Sequence, residues 1–269
     1  MKILLTGGHT GIGKVLAQRL AAEGHDLLFL LRDESRLPAL DFLPAGSFQT
    51  YFADLADPDA TRNTAGQILR EHPKLDVLHN NAGILLDHAE FPYRDTEIHF
   101  LVNTLAPYVL LQTLRPALRH GGTVINTSSG AAKMAGDLRP LEALAHPTDF
   151  SKWNGPYAQS KLALSYWTWR LGGELAAEDI RAFSVDPGGN DTKMTRGRGT
   201  PWLFRVLLRP LIFKSPEGGA NLLYRSVFEP PTAAENGAFL VGHQPTELSA
   251  FQLPTERGTE LIAFLDTFL

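Results

Sequence analysis

Tyr157 and Lys161 stand four residues apart, and Pro156 just before them suits the first turn of a helix, where a missing N–H costs little. On a helix this spacing puts a phenol and an ammonium on one face. A neighbouring cation favours the charged phenolate and lowers a tyrosine from its ordinary value near ~10, so the hydroxyl becomes a proton donor and acceptor usable near neutrality. That is the acid/base half of a carbonyl reduction. Two residues on the surface of an amphipathic helix would show the same spacing, so the elements around them must decide between the readings.

The first such element is at the start of the chain. Residues 2 to 6 form an apolar run that stops at Gly7, and residues 14 to 22 carry Val15, Leu16 and Leu20 at helical spacing, a strand, loop and helix in succession. In the loop Thr6-Gly7-Gly8-His9-Thr10-Gly11-Ile12-Gly13, glycines 7, 11 and 13 permit a tight turn, close approach of a pyrophosphate and close packing of the helix, whose N-terminus then faces the anion. Gly7, His9, Thr10, Gly11, Ile12 and Gly13 are therefore candidate nucleotide contacts, with a glycine turn without ligand as the alternative. The spacing is Gly-x-x-x-Gly-x-Gly, not the commoner Gly-x-Gly-x-x-Gly.

Asp26 to Leu31 reads as a strand buried on both faces, and Arg32 follows it. An acidic residue here would bind the ribose diol of NAD, whereas an arginine accommodates the 2′-phosphate of NADP, so Arg32 favours NADP(H) over NAD(H). Arg32 paired with Asp33 or Glu34, or Asp33 itself at the ribose, stays open. Phe48 to Phe52 is a third strand, and a helix follows over about 58 to 71. Asp54, with Leu55 beside it, stands where a carboxylate can accept from an adenine amino group, and Asp57 suits a helix N-cap. A fourth strand, Leu75 to His79, runs into Asn80-Asn81-Ala82-Gly83, where Asn80 or Asn81 with Ala82 and Gly83 reaches the ligand edge of the sheet or makes an ordinary turn.

Asn103 interrupts a long apolar run from Thr96 to about Arg119, a position unfavourable in a helix unless its side chain has a partner or a purpose. Thr123 to Thr127 is a fifth strand delivering Ser128 and Ser129, whose hydroxyls can bond a substrate carbonyl or only cap a turn. Residues 130 to 154 read as a long loop, functional or mobile. Ile180 to Val185 is a sixth strand, and its Pro187-Gly188 turn puts backbone and Thr192 at the same edge. Residues 201 to 213 alternate large apolar residues with arginines, as a lid over an apolar substrate or a short membrane-surface helix would. A helix over about 216 to 228, a last strand at 238 to 241 and a helix near 256 to 268 complete a seven-strand pattern.

Composition narrows the function classes. The 269 residues suit a single α/β domain, and 43% hydrophobic with 20% charged residues describes a soluble globular chain. A formal charge of −4 offers no footprint for nucleic acid, and with no cysteine thiolate chemistry is absent. The nine histidines show no zinc spacing, so no metal is expected; His79 and His99, on apolar segments, read as satisfied core residues. No Gly-x-Ser-x-Gly elbow points to a hydrolase. The opening apolar run is too short for a signal peptide and no stretch nears the about 18 apolar residues of a membrane span, which leads to the expectation of a cytoplasmic protein without an integral membrane anchor.

Taken in order, Thr6-Gly7-x-x-x-Gly11-Ile12-Gly13, Asn80-Asn81-Ala82-Gly83, Asn103, Ser128-Ser129, Tyr157-x-x-x-Lys161 and Pro187-Gly188 with Thr192 resemble the short-chain dehydrogenase/reductase family across residues 1 to 195. The resemblance implies a doubly wound Rossmann-type α/β domain over residues 1–269, with a seven-stranded parallel sheet in the order 3-2-1-4-5-6-7 and substrate-side loops at about 130–154 and 193–214. It implies a tetrad of Asn103, Ser129, Tyr157 and Lys161. Tyr157 would protonate the carbonyl oxygen as hydride arrives from nicotinamide, Ser129 polarise that oxygen, Lys161 lower the tyrosine and hold the nicotinamide ribose, and Asn103 order a water. The 28 residues from Ser129 to Tyr157, with Leu31-Arg32-Asp33, look more like the retinol-dehydrogenase and WW-domain-oxidoreductase-like branch, which often uses NADP. The expected activity is hydride transfer between NADP(H) and a small or medium apolar ketone, aldehyde or secondary alcohol. A nucleotide-sensing protein without turnover and a reductase of carbon–carbon double bonds are the alternatives. A homodimer or homotetramer through the helices containing Asn103 and Tyr157 is also implied.

Overall fold

The computed structural model describes residues 1–269 apart from 45, 149, 152–154, 198, 199, 201, 202, 204–213 and 233, and the side chain of Lys193. The expected lid or surface helix at 201 to 213 thus lies almost wholly outside the described residues.

Strands β1 (Lys2–Thr6), β2 (Asp26–Leu31), β3 (Phe48–Phe52), β4 (Val77–Asn80), β5 (Thr123–Thr127), β6 (Arg181–Asp186) and β7 (Phe239–Val241) are parallel neighbours in the order β3-β2-β1-β4-β5-β6-β7. A two-residue strand β8 (Gln244–Pro245) then adds antiparallel to β7. The sheet is therefore eight-stranded and mixed, which corrects the seven parallel strands expected. The cause is local: Gly242 and His243 both take positive φ, 56° and 69°, the backbone of a two-residue hairpin turn that reverses the chain at once.

Successive side chains of a strand point to opposite faces, and the apolar residues of β1 and β2 divide accordingly. Ile3, Leu5, Leu27, Phe29 and Leu31 pack with α1 (Gly11–Ala22) and the helix Pro216–Phe228. Leu4, Leu28 and Leu30 pack on the other side with α2 (Pro58–Glu71), α4 (Ala106–Leu118) and α7 (Pro156–Ala177). Asp57 caps α2 by accepting from Ala60 N at 3.0 Å, and Pro58 opens it.

The apolar run around Asn103 is not one regular helix. It begins as α3 (Ile98–Phe100), widens into a π-helical turn at Leu101–Leu105 and continues as α4. Such widened turns concentrate at functional sites, and this one carries Asn103. Residues 130 to 154, expected as loop, include two short helices, α5 (Ala131–Met134) and α6 (Leu141–Ala145). Helices of one turn are too short to declare themselves by periodicity.

The C-terminal segment lies over α4 and α7. Leu261 and Leu265 are fully buried, Phe251 stacks on Trp169 at 4.9 Å, and Tyr108 Oη donates to Asp266 Oδ1 at 2.5 Å. Among the described residues no helix is long and apolar enough to cross a membrane.

Candidate active site

The carboxyl ends of the central strands open onto a cleft of about 530 Å³. At one end lies the β1–α1 loop. Gly7 has φ +67°, and a Cβ on it would sit 2.9 Å from Ala82 Cα. A Cβ on Gly13 would meet the Gly7 carbonyl oxygen at 2.3 Å and Asn81 Nδ2 at 2.4 Å, so only glycine lets loop and helix close this tightly. Thr10 at the N-cap of α1 makes no side-chain cap, and the first turn holds no acidic residue. The orphan N–H groups of that turn thus face the cleft without a side-chain acceptor, as an anion site requires. Thr192 closes over the loop, its Cγ2 3.3 Å from a Cβ placed on Gly11.

Further along the same end, Arg32 lies with Nε 3.9 Å from Asp54 Oδ2, both half exposed. Asp33 is turned away: its Oδ1 accepts from Ser35 N at 2.9 Å and starts a 3-10 helix over Glu34–Leu40, and the Ser35 hydrogen bonds hold its carboxyl below the usual range. Asp33 is not among the residues that line the cleft, whereas Arg32 is. The 3-10 turn also swings Arg36 to the cleft, a residue the sequence reading missed. Asp54 lines the cleft with Leu55 and accepts from Ala56 N at 3.0 Å.

At the centre, the choice between the two asparagines resolves by face. Asn80 points inward, donating to Asn126 Oδ1 at 2.8 Å, whereas Asn81 donates to Thr6 O at 3.2 Å and Gly7 O at 3.3 Å and borders the cleft with Ala82 and Gly83. The serines divide likewise. Both border the cleft, but the Ser128 hydroxyl is buried against Ser165 Oγ at 2.8 Å, while the Ser129 hydroxyl faces the Tyr157 phenol and lowers its value. Lys161, 4% exposed, donates from Nζ to Thr127 O at 2.8 Å. Asn103, fully buried, stands behind the wall: Oδ1 accepts from Ile84 N at 2.9 Å, and Nδ2 donates to Ile84 O and Ser160 Oγ, both at 3.1 Å. Its partners are what a polar residue inside that apolar run required.

The electrostatics differ from the expectation of an ammonium depressing a phenol. Burial pushes Tyr157 above its ordinary range; the Ser129 hydrogen bond opposes this and the Asp186 carboxylate adds to it. Burial also lowers Lys161 to about 7, so in this state the amine is near half-charged at neutrality and lends the phenol little charge. Asp186 was another residue missed, because β6 runs one residue past its expected end at Val185. Its Oδ1 accepts from Gly188 N at 2.9 Å and the carboxylate also takes the Gly130 N–H, tying the Ser129–Gly130 turn to the Pro187–Gly188 turn. Of the residues singled out from sequence for the tetrad or the nucleotide, Asn103, Asn80 and Asp33 do not line the cleft and the others do, and Ile84, Leu85, Val102 and Met134 add an apolar wall.

The glycine cradle and the open helix end fit the pyrophosphate of a dinucleotide. The family model for short chain dehydrogenase matches residues 1–141. Polyprenol dehydrogenase of Mus musculus is 31% identical over 275 residues, covering 96% of this chain and 79% of its own. Retinol dehydrogenase 12 of the same organism is 31% identical over 81% of this chain and 70% of its own. Among solved structures, a short chain dehydrogenase from Burkholderia cenocepacia in complex with NADP superposes with TM-score 0.68 at 29% identity, over 89% of this chain and 94% of that one. A blue fluorescent protein from a metagenomic library in complex with NADPH gives TM-score 0.68 at 29% identity, over 94% and 98%. The chain belongs to the short-chain dehydrogenase/reductase family and is an NAD(P)-dependent oxidoreductase. Within that family its relatives place it on the retinol-dehydrogenase-like branch.

Proposed function

We propose that the chain uses NADP(H) to interconvert an apolar ketone or aldehyde and the corresponding alcohol, with Tyr157 as acid and base. The observation that carries this reading is the meeting of Ser129 and Tyr157 in the same cleft whose far end is the glycine cradle. The bound dinucleotide supplies or accepts the hydride at the substrate carbon. Gly7, His9, Thr10, Gly11, Ile12 and Gly13, with Thr192, would hold its pyrophosphate, and Asp54, Leu55, Asn81, Ala82, Gly83, Pro187 and Gly188 its bases and sugars. Arg32 and Arg36 favour the 2′-phosphate, since Asp33 is spent as a cap.

Tyr157 holds its proton at Oη, as its raised value requires, and gives it to the carbonyl oxygen as the C–H bond forms; oxidation reverses the transfer. Ser129 donates to the same oxygen and stabilises charge there. Lys161 stands between Thr127 O and Gly83, 3.4 Å from a Cβ placed on Gly83, so it can reach a ribose hydroxyl, and Asn103 fixes the backbone beside it. The apolar wall, and the isoprenoid alcohols that name two relatives, support an apolar substrate.

The test is NADPH and NADH oxidation against aliphatic ketones, propanal, citral, farnesal and retinal. Tyr157→Phe is expected to lower kcat/KM about 10³-fold while NADPH still binds. Undiminished turnover in that variant would remove Tyr157 from the chemistry.

A further inference from the structure

Residues 81 to 87 have no regular secondary structure, yet their backbone groups need partners. Side chains from three other elements supply them. Thr6 Oγ1 accepts from Asn81 N and Ala82 N at 3.0 and 2.9 Å, and Asn103 takes both polar groups of Ile84. Leu86 N donates to His99 Nε2 at 2.9 Å.

The last contact has a support of its own. Because Nε2 accepts, the proton sits on Nδ1, which donates to Glu97 Oε1 at 2.6 Å, and both side chains are fully buried. Glu97 Oε2 is occupied in turn by His99 N at 2.8 Å and Phe100 N at 3.2 Å, capping α3. Both carboxylate oxygens are thereby engaged, and the imidazole is held through both of its nitrogens. Its ring packs near Phe150, 5.7 Å away, and Tyr157, 6.2 Å away and near-perpendicular. One rigid unit thus touches the reacting tyrosine on one side and the backbone of the apolar wall on the other.

We propose that the Glu97–His99 pair is a specificity-determining positioning unit, which clamps the Leu86 backbone and so holds Ile84 and Leu85 at the distance from Tyr157 that admits an apolar substrate chain. The inference rests on the oxidoreductase reading and extends it to substrate choice. His99→Phe keeps the ring's bulk and its aromatic neighbours but removes the acceptor; His99→Gln returns an amide oxygen near the place of Nε2.

With saturating NADPH, His99→Phe is expected to raise KM for farnesal about 10-fold, with kcat and NADPH affinity within about 2-fold and KM for propanal unchanged, because a small substrate does not reach the wall. His99→Gln should recover most of the loss. Equal effects on both aldehydes, a loss confined to kcat, or a glutamine variant no better than phenylalanine would overturn the proposal. If His99→Phe does not fold, amide exchange on the intact wild type decides: the Leu86 amide should exchange far more slowly than that of exposed His88, and equal rates would overturn the clamp. Failure of the wild type to turn over any carbonyl sinks the proposed carbonyl reduction alone, since the exchange is read without turnover.

Discussion

The two ends of the cleft are built by opposite means. At the nucleotide end the backbone itself makes the surface: atoms are missing at Gly7 and Gly13 where a Cβ would strike main chain, and the first turn of α1 is left without a side-chain cap. At the substrate end the backbone is irregular and side chains hold it, with Asn103 and His99 reaching in from two elements. The first kind of site tolerates no added atom. The second depends on pairings between residues far apart in the chain, and it can change its shape by changing one partner.

The sharpest way to break this contrast is to add a single carbon at the nucleotide end. Gly13→Ala would bring Cβ within 2.3 Å of the Gly7 oxygen, so loop and helix must separate. NADPH affinity is expected to fall about 100-fold, with about 1–3 kcal/mol of stability lost, by titration and chemical denaturation. Gly24→Ala is the control. Its φ of +78° is strained for alanine, but nothing lies within 4 Å of the added carbon, so stability should fall by about 1 kcal/mol with nucleotide affinity intact. Equal affinities in the two variants would end the argument from close packing.

A smaller effect is expected where the nucleotide end is made by side chains. Arg32→Ala and Arg36→Ala should each weaken NADPH binding about 10-fold and leave NADH unchanged, since a charge-assisted hydrogen bond to phosphate is lost in one case only. Parallel loss for both nucleotides would mean that the arginines shape the pocket and do not read the 2′-phosphate.

These residues also mark how far the sequence could be read. Arg32 was legible because it follows directly on a buried strand; Arg36 was not, because a 3-10 helix with Pro38 inside it has no periodicity to announce it. The span of α2, opened by Asp57 and Pro58, and the run of β5 were legible from cap and hydrophobic pattern. The π-helical turn was visible only as an awkward asparagine, and β8 only as Gly242-His243, which went unread. The cleft residues were readable where chemistry demands one residue type, as at Gly13 and Tyr157. Histidines were not. His79 and His99 look alike in sequence, both being in apolar runs read as satisfied, but His99 has partners on both nitrogens while His79, among the described residues, has none. Burial lowers His79 to about 3, so it remains an uncharged core ring through ordinary pH.

The last effect joins the two ends, because Lys161 sits between them. Burial lowers its amine to about 7, whereas an unfolded lysine titrates near ~10.4. Below pH 7 both states bind the proton and the full cost of burying an ammonium is present. Between the two values the unfolded state holds one proton more than the folded, so stability rises with pH, by at most about 1.4 kcal/mol per unit and by less near pH 7, where the lysine is half titrated. Tyr157, held above its ordinary range, works against folding only as the unfolded phenol ionises, near pH ~10, which leaves pH 7 to 9 to the lysine. Denaturation of the nucleotide-free protein against Lys161→Met at pH 6, 7, 8 and 9 cancels the other titrating groups. The wild type should gain on the variant steadily above pH 7, and a constant difference would mean that water or a neighbouring charge keeps the ammonium in place, so that the phenol has its cation before any nucleotide arrives.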